Sequence, residues 1–220
     1  DERGTHAYGK KVLKKGEASF FLKPGEWLLD KKVQNIHVLG EDEALLLRAL
    51  EDYTDEDKKV KKAGDRWNIY GPTEFIPAVE IEIVERRQSI PLDENEGIYV
   101  RDRRTGEVKS IRGQTYMLKA HEDLWEKHLP NEVEELLARQ KRGLTVVAAK
   151  ENASGKWTYE QTDTSGYKRD KTRMVTFKAP HNSAVQVFDY KTKKSRVVFG
   201  PDLVMLEPDE QFTVITLSGS

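Results

Sequence analysis

The densest group of chemistry-bearing side chains in the chain is the run Glu51-Asp52-Tyr53-Thr54-Asp55-Glu56-Asp57. Clustered carboxylates are the hard oxygen donors that Ca²⁺ takes, and Asp52, Asp55 and Asp57 are the candidate ligands. The run lacks the D-x-D-x-D-G-x5-E spacing of an EF-hand loop, and Lys58, Lys59, Lys61 and Lys62 follow at once. Adjacent blocks of acid and base describe a solvated hairpin tip. No metal is expected, and a calcium loop is the minority reading.

The other reactive residue types are no better arranged. His6, His37, His121, His128 and His181 show no recurrent ligand spacing. His121 and His128, near Glu122, Trp125 and Glu126, come closest to a zinc site, but read more simply as surface or interface histidines. No G-x-S-x-G elbow orders a serine triad, and no glycine-rich loop ends in GKS or GKT. Enzyme activity and a bound cofactor are therefore not expected. Arg101, Arg103, Arg104 and Lys109 form one basic hairpin, and Lys191, Lys193, Lys194 and Arg196 another. With Trp125, Trp157 and Tyr190 nearby in sequence they have the ingredients of a single-stranded RNA surface. The Glu-rich strand 80–85 balances them, so solvated tips are the plainer reading, and no direct nucleic-acid contact is expected.

The totals agree. Of 220 residues, 34% are charged and the net charge is −1, whereas a general nucleic-acid binder should carry a basic excess. Cysteine is absent, which removes disulfides and thiolate chemistry and leans towards a reducing compartment. No apolar run approaches the ~18 residues of a membrane span, and no membrane partner is expected. The chain opens on Asp1 with no initiator methionine, so a fragment is the expectation.

What must position these residues is a module that occurs more than once. Sliding residues 93–125 by 87 places superposes Asn95 on Asn182, Val100 on Val187, Asp102 on Asp189, Thr105 on Thr192, Gly113 on Gly200 and Trp125 on Phe212, with no gap. A fixed period with fixed spacing marks a repeat architecture. Gly16, Gly71, Gly113 and Gly200 mark four copies, each glycine following the return strand of a hairpin where positive φ or a close approach is required. Pro24 and Glu26 stand 8 and 10 residues after Gly16, as Pro208 and Glu210 do after Gly200. The expected organisation is a truncated repeat at 1–34, a repeat at 35–86 with a longer loop, and a repeat at 87–130. A linker at 131–171 and a repeat at 172–220 follow.

Local patterns give each copy its strands. Val79, Ile81 and Ile83 alternate with Glu80 and Glu82, as do Ile98 and Val100 with Tyr99 and Arg101; period two is the mark of a half-buried strand. Arg104-Thr105-Gly106-Glu107 reads as a hairpin turn with glycine at positive φ. Lys109 on the return strand is expected to tolerate valine. Residues 45–50 fit either a strand or a short helix. Asn131 is expected to cap a short helix over 132–139, and 153–171 is expected to be a mobile, dispensable insertion. Phe20, Trp67, Phe75, Trp125, Phe199 and Phe212 recur at module positions and are expected in the core. The fold class is all-β: tandem small antiparallel sheets in an elongated array, each sheet too thin to be stable without neighbours.

At this point particular strings carry a resemblance. Glu74-Phe75-Ile76-Pro77, IPLDENEGIYV at 90–100, TYMLKAHEDLWEKHLP at 115–130 and VVFGPDLVMLEPDEQFTV at 197–214 closely resemble the major vault protein family, as do GEASFFLKPGEWL and AGDRWNIYGP upstream. The similarity covers most of 10–217 and is weakest over 139–171. The resemblance implies a segment of the repeat-built wall of the vault, a hollow ribonucleoprotein shell whose chains stand side by side. It implies other copies of the same chain as partners and a cytoplasmic location, with the nucleus as a second. As an alternative it implies a binding module for a guest such as the vault poly(ADP-ribose) polymerase, and calcium at some repeats. The family's shoulder domain, long helix and cap lie outside this sequence. Assembly in the family depends strongly on that helix, so the expectation here is a monomer.

Overall fold

The computed structural model describes residues 9–17, 19–29, 32–54, 59–141, 150–151, 157–158 and 169–213. The chain forms two compact units, one made of Asp1–Ile90 with Met117–His121, the other of Pro91–Tyr116 with Glu122–Ser220.

The first unit contains β1 (His37–Leu39), β2 (Glu43–Ala49), β3 (Tyr53–Thr54), β4 (Val60–Lys61), β5 (Arg66–Tyr70), β6 (Thr73–Phe75) and β7 (Ile81–Gln88). β1 pairs with β6, and β2 lies between β5 and β7, all antiparallel. The ambiguous run 45–50 is thus largely strand: Leu45, Leu46 and Leu47 are buried on both faces of a central strand, where an apolar run need not alternate. Leu39, Leu45, Leu47 and Ile81 form the core, with Trp67 and Phe75 packed against it. The short β3–β4 ladder is the longer loop expected in this copy. Met117–His121 is held by its carbonyls: Leu118 O accepts from Asn68 Nδ2 at 2.8 Å, and Lys119 O from the buried Arg87 at 2.7 Å.

The second unit contains β8 (Gly97–Asp102), β9 (Val108–Arg112), β10 (Glu122–Leu124), α1 (Asn131–Lys141), β11 (Lys150–Glu151), β12 (Trp157–Thr158), β13 (Thr176–Ala179), β14 (Ala184–Asp189), β15 (Lys194–Phe199), β16 (Asp202–Met205) and β17 (Glu210–Phe212). β8 lies between β9 and β10, β14 lies between β15 and β17, β11 pairs with β12, and β13 pairs with β16. The pairing of β13 to β17 therefore repeats that of β1, β2 and β5 to β7, strand for strand. The fold is all-β with a single helix among the described residues.

The strand registers correct the sequence alignment at one point. Asp102 faces Glu122 and Val100 faces Leu124; Asp189 faces Glu210 and Val187 faces Phe212. Phe212 therefore corresponds to Leu124, not to Trp125, and the fourth copy carries one extra residue between its glycine and its last strand. Side-chain similarity between two aromatics hid that insertion, because register belongs to the ladder and not to either strand alone.

The shared glycine splits into two physical causes. A Cβ on Gly71 would stand 1.9 Å from Gly40 O, and one on Gly200 would stand 1.8 Å from Pro180 O; these corners need close approach of two backbones. Gly113 has φ +65°, where a Cβ would meet only Glu94 Cα in ordinary contact at 3.8 Å, and Gly16 has φ +88°, so these need the left-handed region.

Three further expectations change. Phe20 and Phe199 are exposed, Phe199 by 75%, and are not core, whereas Trp125 and Phe212 pack on the second unit's core. β15 is an edge strand, so a residue at its end can face solvent while keeping its module position. α1 begins under the carbonyl of Pro130, which accepts from the amides of Val133 and Glu134 at 3.0 and 3.1 Å. Pro130 is thus the half-helical cap and Asn131 the first helical residue. Val133 and Leu137, one turn apart on one face, enter the core. The end of the 153–171 segment is not mobile but packed, because the Arg169 side chain is buried in an ion pair with Glu134 at 2.8 Å. Most of that segment lies outside the described residues.

Candidate functional site

Among the described residues, the predicted site side chains do not converge. Asp52 Oδ1 accepts from the amide of Ala63 at 3.0 Å, closing its own loop, and Asp55 and Asp57 lie outside the described residues. His128 Nδ1 is 3.2 Å from Lys171 Nζ, and His128 Nε2 is 3.8 Å from Glu126. Among the described residues no three His, Asp or Glu side chains are grouped for a metal, and no helix is long and apolar enough to cross a membrane. The basic tips are partly paired within their own modules, Arg103 with Asp123 at 3.0 Å and Lys191 with Asp209 at 3.6 Å. A hollow of about 180 Å³ lined by Arg112, Arg196, Asp202 and Leu203 falls short of the ~300–1,000 Å³ of small-molecule sites. Its arginines already face Glu207 and Glu210.

What does converge is the joint between the third and fourth copies, inside the second unit. Tyr99 sits mid-strand in β8 and is fully buried. Its hydroxyl donates to Leu206 O at 2.8 Å and accepts from the Val175 amide at 3.2 Å. Trp125 meets the Tyr99 ring edge-on at 5.8 Å, the arrangement aromatic quadrupoles favour. The next residues along are gripped as well. Glu207 accepts from Ser110 Oγ and faces Arg112 at 3.6 Å. Pro208 O accepts from Lys127 Nζ at 2.6 Å and from Tyr190 at 2.9 Å. Three consecutive residues of the fourth copy, Leu206-Glu207-Pro208, are thus each held by side chains of the third.

Electrostatics sharpen the picture. Burial pushes the Tyr99 phenol well above its ordinary range, so it stays a neutral donor. Burial also pulls the Lys127 ammonium down to about 8, against the attraction of Asp209 and Glu210. Arg169 closes the joint: its guanidinium pairs with Glu134 on α1 and donates to Lys127 O at 2.6 Å. The backbone joins too, with Tyr99 N donating to Thr172 O at 3.0 Å and Met174 N to Gly97 O at 2.7 Å.

The arrangement binds module to module, which is the behaviour of a repeat array. Comparison with known families places it. Residues 174–220 match the profile described as Major Vault Protein Repeat domain, and 89–143 and 37–78 match two described as Major Vault Protein repeat domain. The chain belongs to the major vault protein repeat family.

The chain is 58% identical over 216 residues to major vault protein alpha of Dictyostelium discoideum, covering 98% of this chain and 23% of that protein. It is 51% identical over 218 residues to the major vault protein of Strongylocentrotus purpuratus and 50% identical to that of Homo sapiens, covering 98% of this chain and 24% of each relative. The chain spans about a quarter of the length of the curated relatives it matches. Within these vault repeats, sequence reasoning missed Tyr99, Lys127 and Arg169. Only Tyr99 left a signal: a large aromatic amid the polar positions of an alternating strand.

Proposed function

We propose that this chain is a structural segment of a vault particle wall, a stack of repeats lying side by side with other copies of itself in a large ribonucleoprotein cage. The three repeat matches support the reading. The observation that carries it is the Leu206-Glu207-Pro208 grip, because it spends buried polar groups on stiffening one module against the next. A wall needs that stiffness. On this reading the partners are further copies of the chain, the compartment is the cytoplasm with the nucleus as a second, and the chain has no catalytic role.

The test is a graft. This chain replaces the matching quarter of Dictyostelium discoideum major vault protein alpha, and particles are sought by electron microscopy. Closed particles are the expected result. A chimera that folds, by circular dichroism, yet forms none while the parent does would refute the reading. Docking of a guest such as the vault poly(ADP-ribose) polymerase is the alternative, distinguished by capture of that guest by this chain alone.

A further inference from the structure

Two segments of the chain fit one kind of grip. The ladders set Glu122 and Glu210 at the same place in their copies, so Met117-Leu118 corresponds to Met205-Leu206, 88 positions on, with the same two residues in both. Each leucine carbonyl takes one side-chain donor at 2.8 Å, Leu118 O from Asn68 and Leu206 O from Tyr99. Asn68 faces Leu46 across β5 and β2, and Ser110 faces Tyr99 across β9 and β8. These are the same position pair in two copies. The donor has moved from the return strand to the central strand, while the carbonyl it holds has stayed.

A backbone carbonyl is the same on every residue. By that bond alone the Tyr99 hydroxyl fits either Met-Leu segment. The residue after the leucine tells them apart: it is Lys119 in one and Glu207 in the other. In the second unit the Glu207 carboxylate accepts from Ser110 Oγ and lies 3.6 Å from Arg112. Arg112 faces Gly97, at the point where Tyr70 faces Ala44 in the first unit. The return strand that meets Glu207 therefore ends in a cation, and the one that holds Leu118 carries a neutral tyrosine there. Repeat proteins characteristically fail by docking one module where a similar one belongs, and two matching Met-Leu segments in one chain pose that problem directly.

We propose that Ser110 and Arg112 select which repeat the third copy's grip accepts. They take a Met-Leu segment followed by an acid and reject one followed by a lysine. Ser110 donates to the carboxylate, and Arg112 attracts it and repels an ammonium in the same place, so attraction and exclusion come from one pair of residues. The segment kept out is Met117-Leu118-Lys119, of the same chain or of a neighbour in a wall; the neighbour's part rests on the reading of the chain as a wall segment.

Amide exchange of the whole chain at low ionic strength reads the grip through Met174, Val175 and Leu206, whose amides donate to Gly97 O, the Tyr99 hydroxyl and Val175 O. Glu207→Lys puts the wrong residue after the right leucine. It should speed exchange at these amides roughly tenfold over the parent, and Glu207→Gln only about threefold. Adding Arg112→Glu reverses the pair, and adding Arg112→Tyr copies the first unit; each should return Glu207→Lys to near the parent rate. In about 1 M salt the Glu207→Lys and Glu207→Gln rates should converge. Leu45, Leu46 and Leu47 in β2 should exchange as in the parent throughout. Glu207→Lys behaving as Glu207→Gln at low salt would mean that charge is not read, and would overturn the proposal. So would a failure of both Arg112 changes to restore protection. If Glu207→Lys unfolds the second unit, the reversed pair must fold it again, and a reversed pair that stays unfolded overturns the proposal too. None of these readouts needs a particle, so they stand apart from the outcome of the graft.

Discussion

Lys109 Nζ lies 2.6 Å from the fully buried Oε1 of Glu122, across β8 from the return strand to the last strand. The registers place Arg196 and Glu210 at the same two points in the fourth copy, 3.0 Å apart. In the second copy those points carry Trp67 and Ile81, which share a core. One position pair therefore holds an ion pair twice and an apolar pair once. The hydrogen bond to Glu122 holds the Lys109 ammonium above its ordinary range. Burial opposes ionisation of Glu210, yet the Arg196 guanidinium and the Glu207 amide hold its carboxyl below the usual carboxylate range.

Lys109→Val is accordingly not neutral. It takes the Lys109 ammonium away from the buried Glu122 carboxylate, which also accepts from Tyr116, a loss of about 1–3 kcal/mol. The combination Lys109→Leu, Glu122→Ile, Tyr116→Phe imitates the second copy and should return to within ~1 kcal/mol of the parent, since a well-packed apolar set can replace a buried pair. Urea unfolding of the single and combined variants measures both; a combination as unstable as Lys109→Val would contradict the equivalence.

Tyr99→Phe removes the hydroxyl between Leu206 O and the Val175 amide and keeps the ring against Trp125. The expected cost is about 1–3 kcal/mol, the desolvation of two stranded backbone groups. Hydrogen exchange should show faster exchange at Val175, with β1 to β7 unchanged.

Lys127 makes an unusual pH signature. Its folded-state value of about 8 lies below the ~10.4 of an unfolded lysine. Between those values the unfolded chain binds more protons, so stability rises with pH across about 8 to 10, by on the order of 3 kcal/mol at full extent. The raised Tyr99 phenol acts in the opposite direction once unfolded tyrosine ionises near ~10. Unfolding midpoints measured from pH 7 to 10 should climb, and Lys127→Met should flatten the climb.

The glycines should separate by cause. Gly200→Ala drives a Cβ into Pro180 O and should cost at least about 3 kcal/mol. Gly113→Ala meets only the left-handed backbone penalty of ~1–2 kcal/mol, and Gly113→Asn should recover most of it. Lys193 holds φ +57° where the third copy has Gly106 at +77°, so Lys193→Gly should gain about 1 kcal/mol. Thermal melts rank all four; equal losses for Ala at both glycines would refute the two-cause account.

The sequence by itself determined the alternating strands, the Asp102 and Asp189 hairpins and the recurring glycines, because each is written in local spacing, and long matching strings carried the family. Period-two alternation, a turn's demand for positive φ and a repeated string need no distant partner to be read. What the tertiary structure alone decided is which polar residues hold modules together. Lys109 looked like a surface lysine and Arg169 like part of a charged insertion, and nothing in its own stretch marks Lys127. They become structural through partners 13, 81 and 35 residues away. The one-residue slip between Trp125 and Phe212 was hidden for the same reason. Burial and ladder register are properties of pairs brought together by folding, and no single stretch of the chain records them.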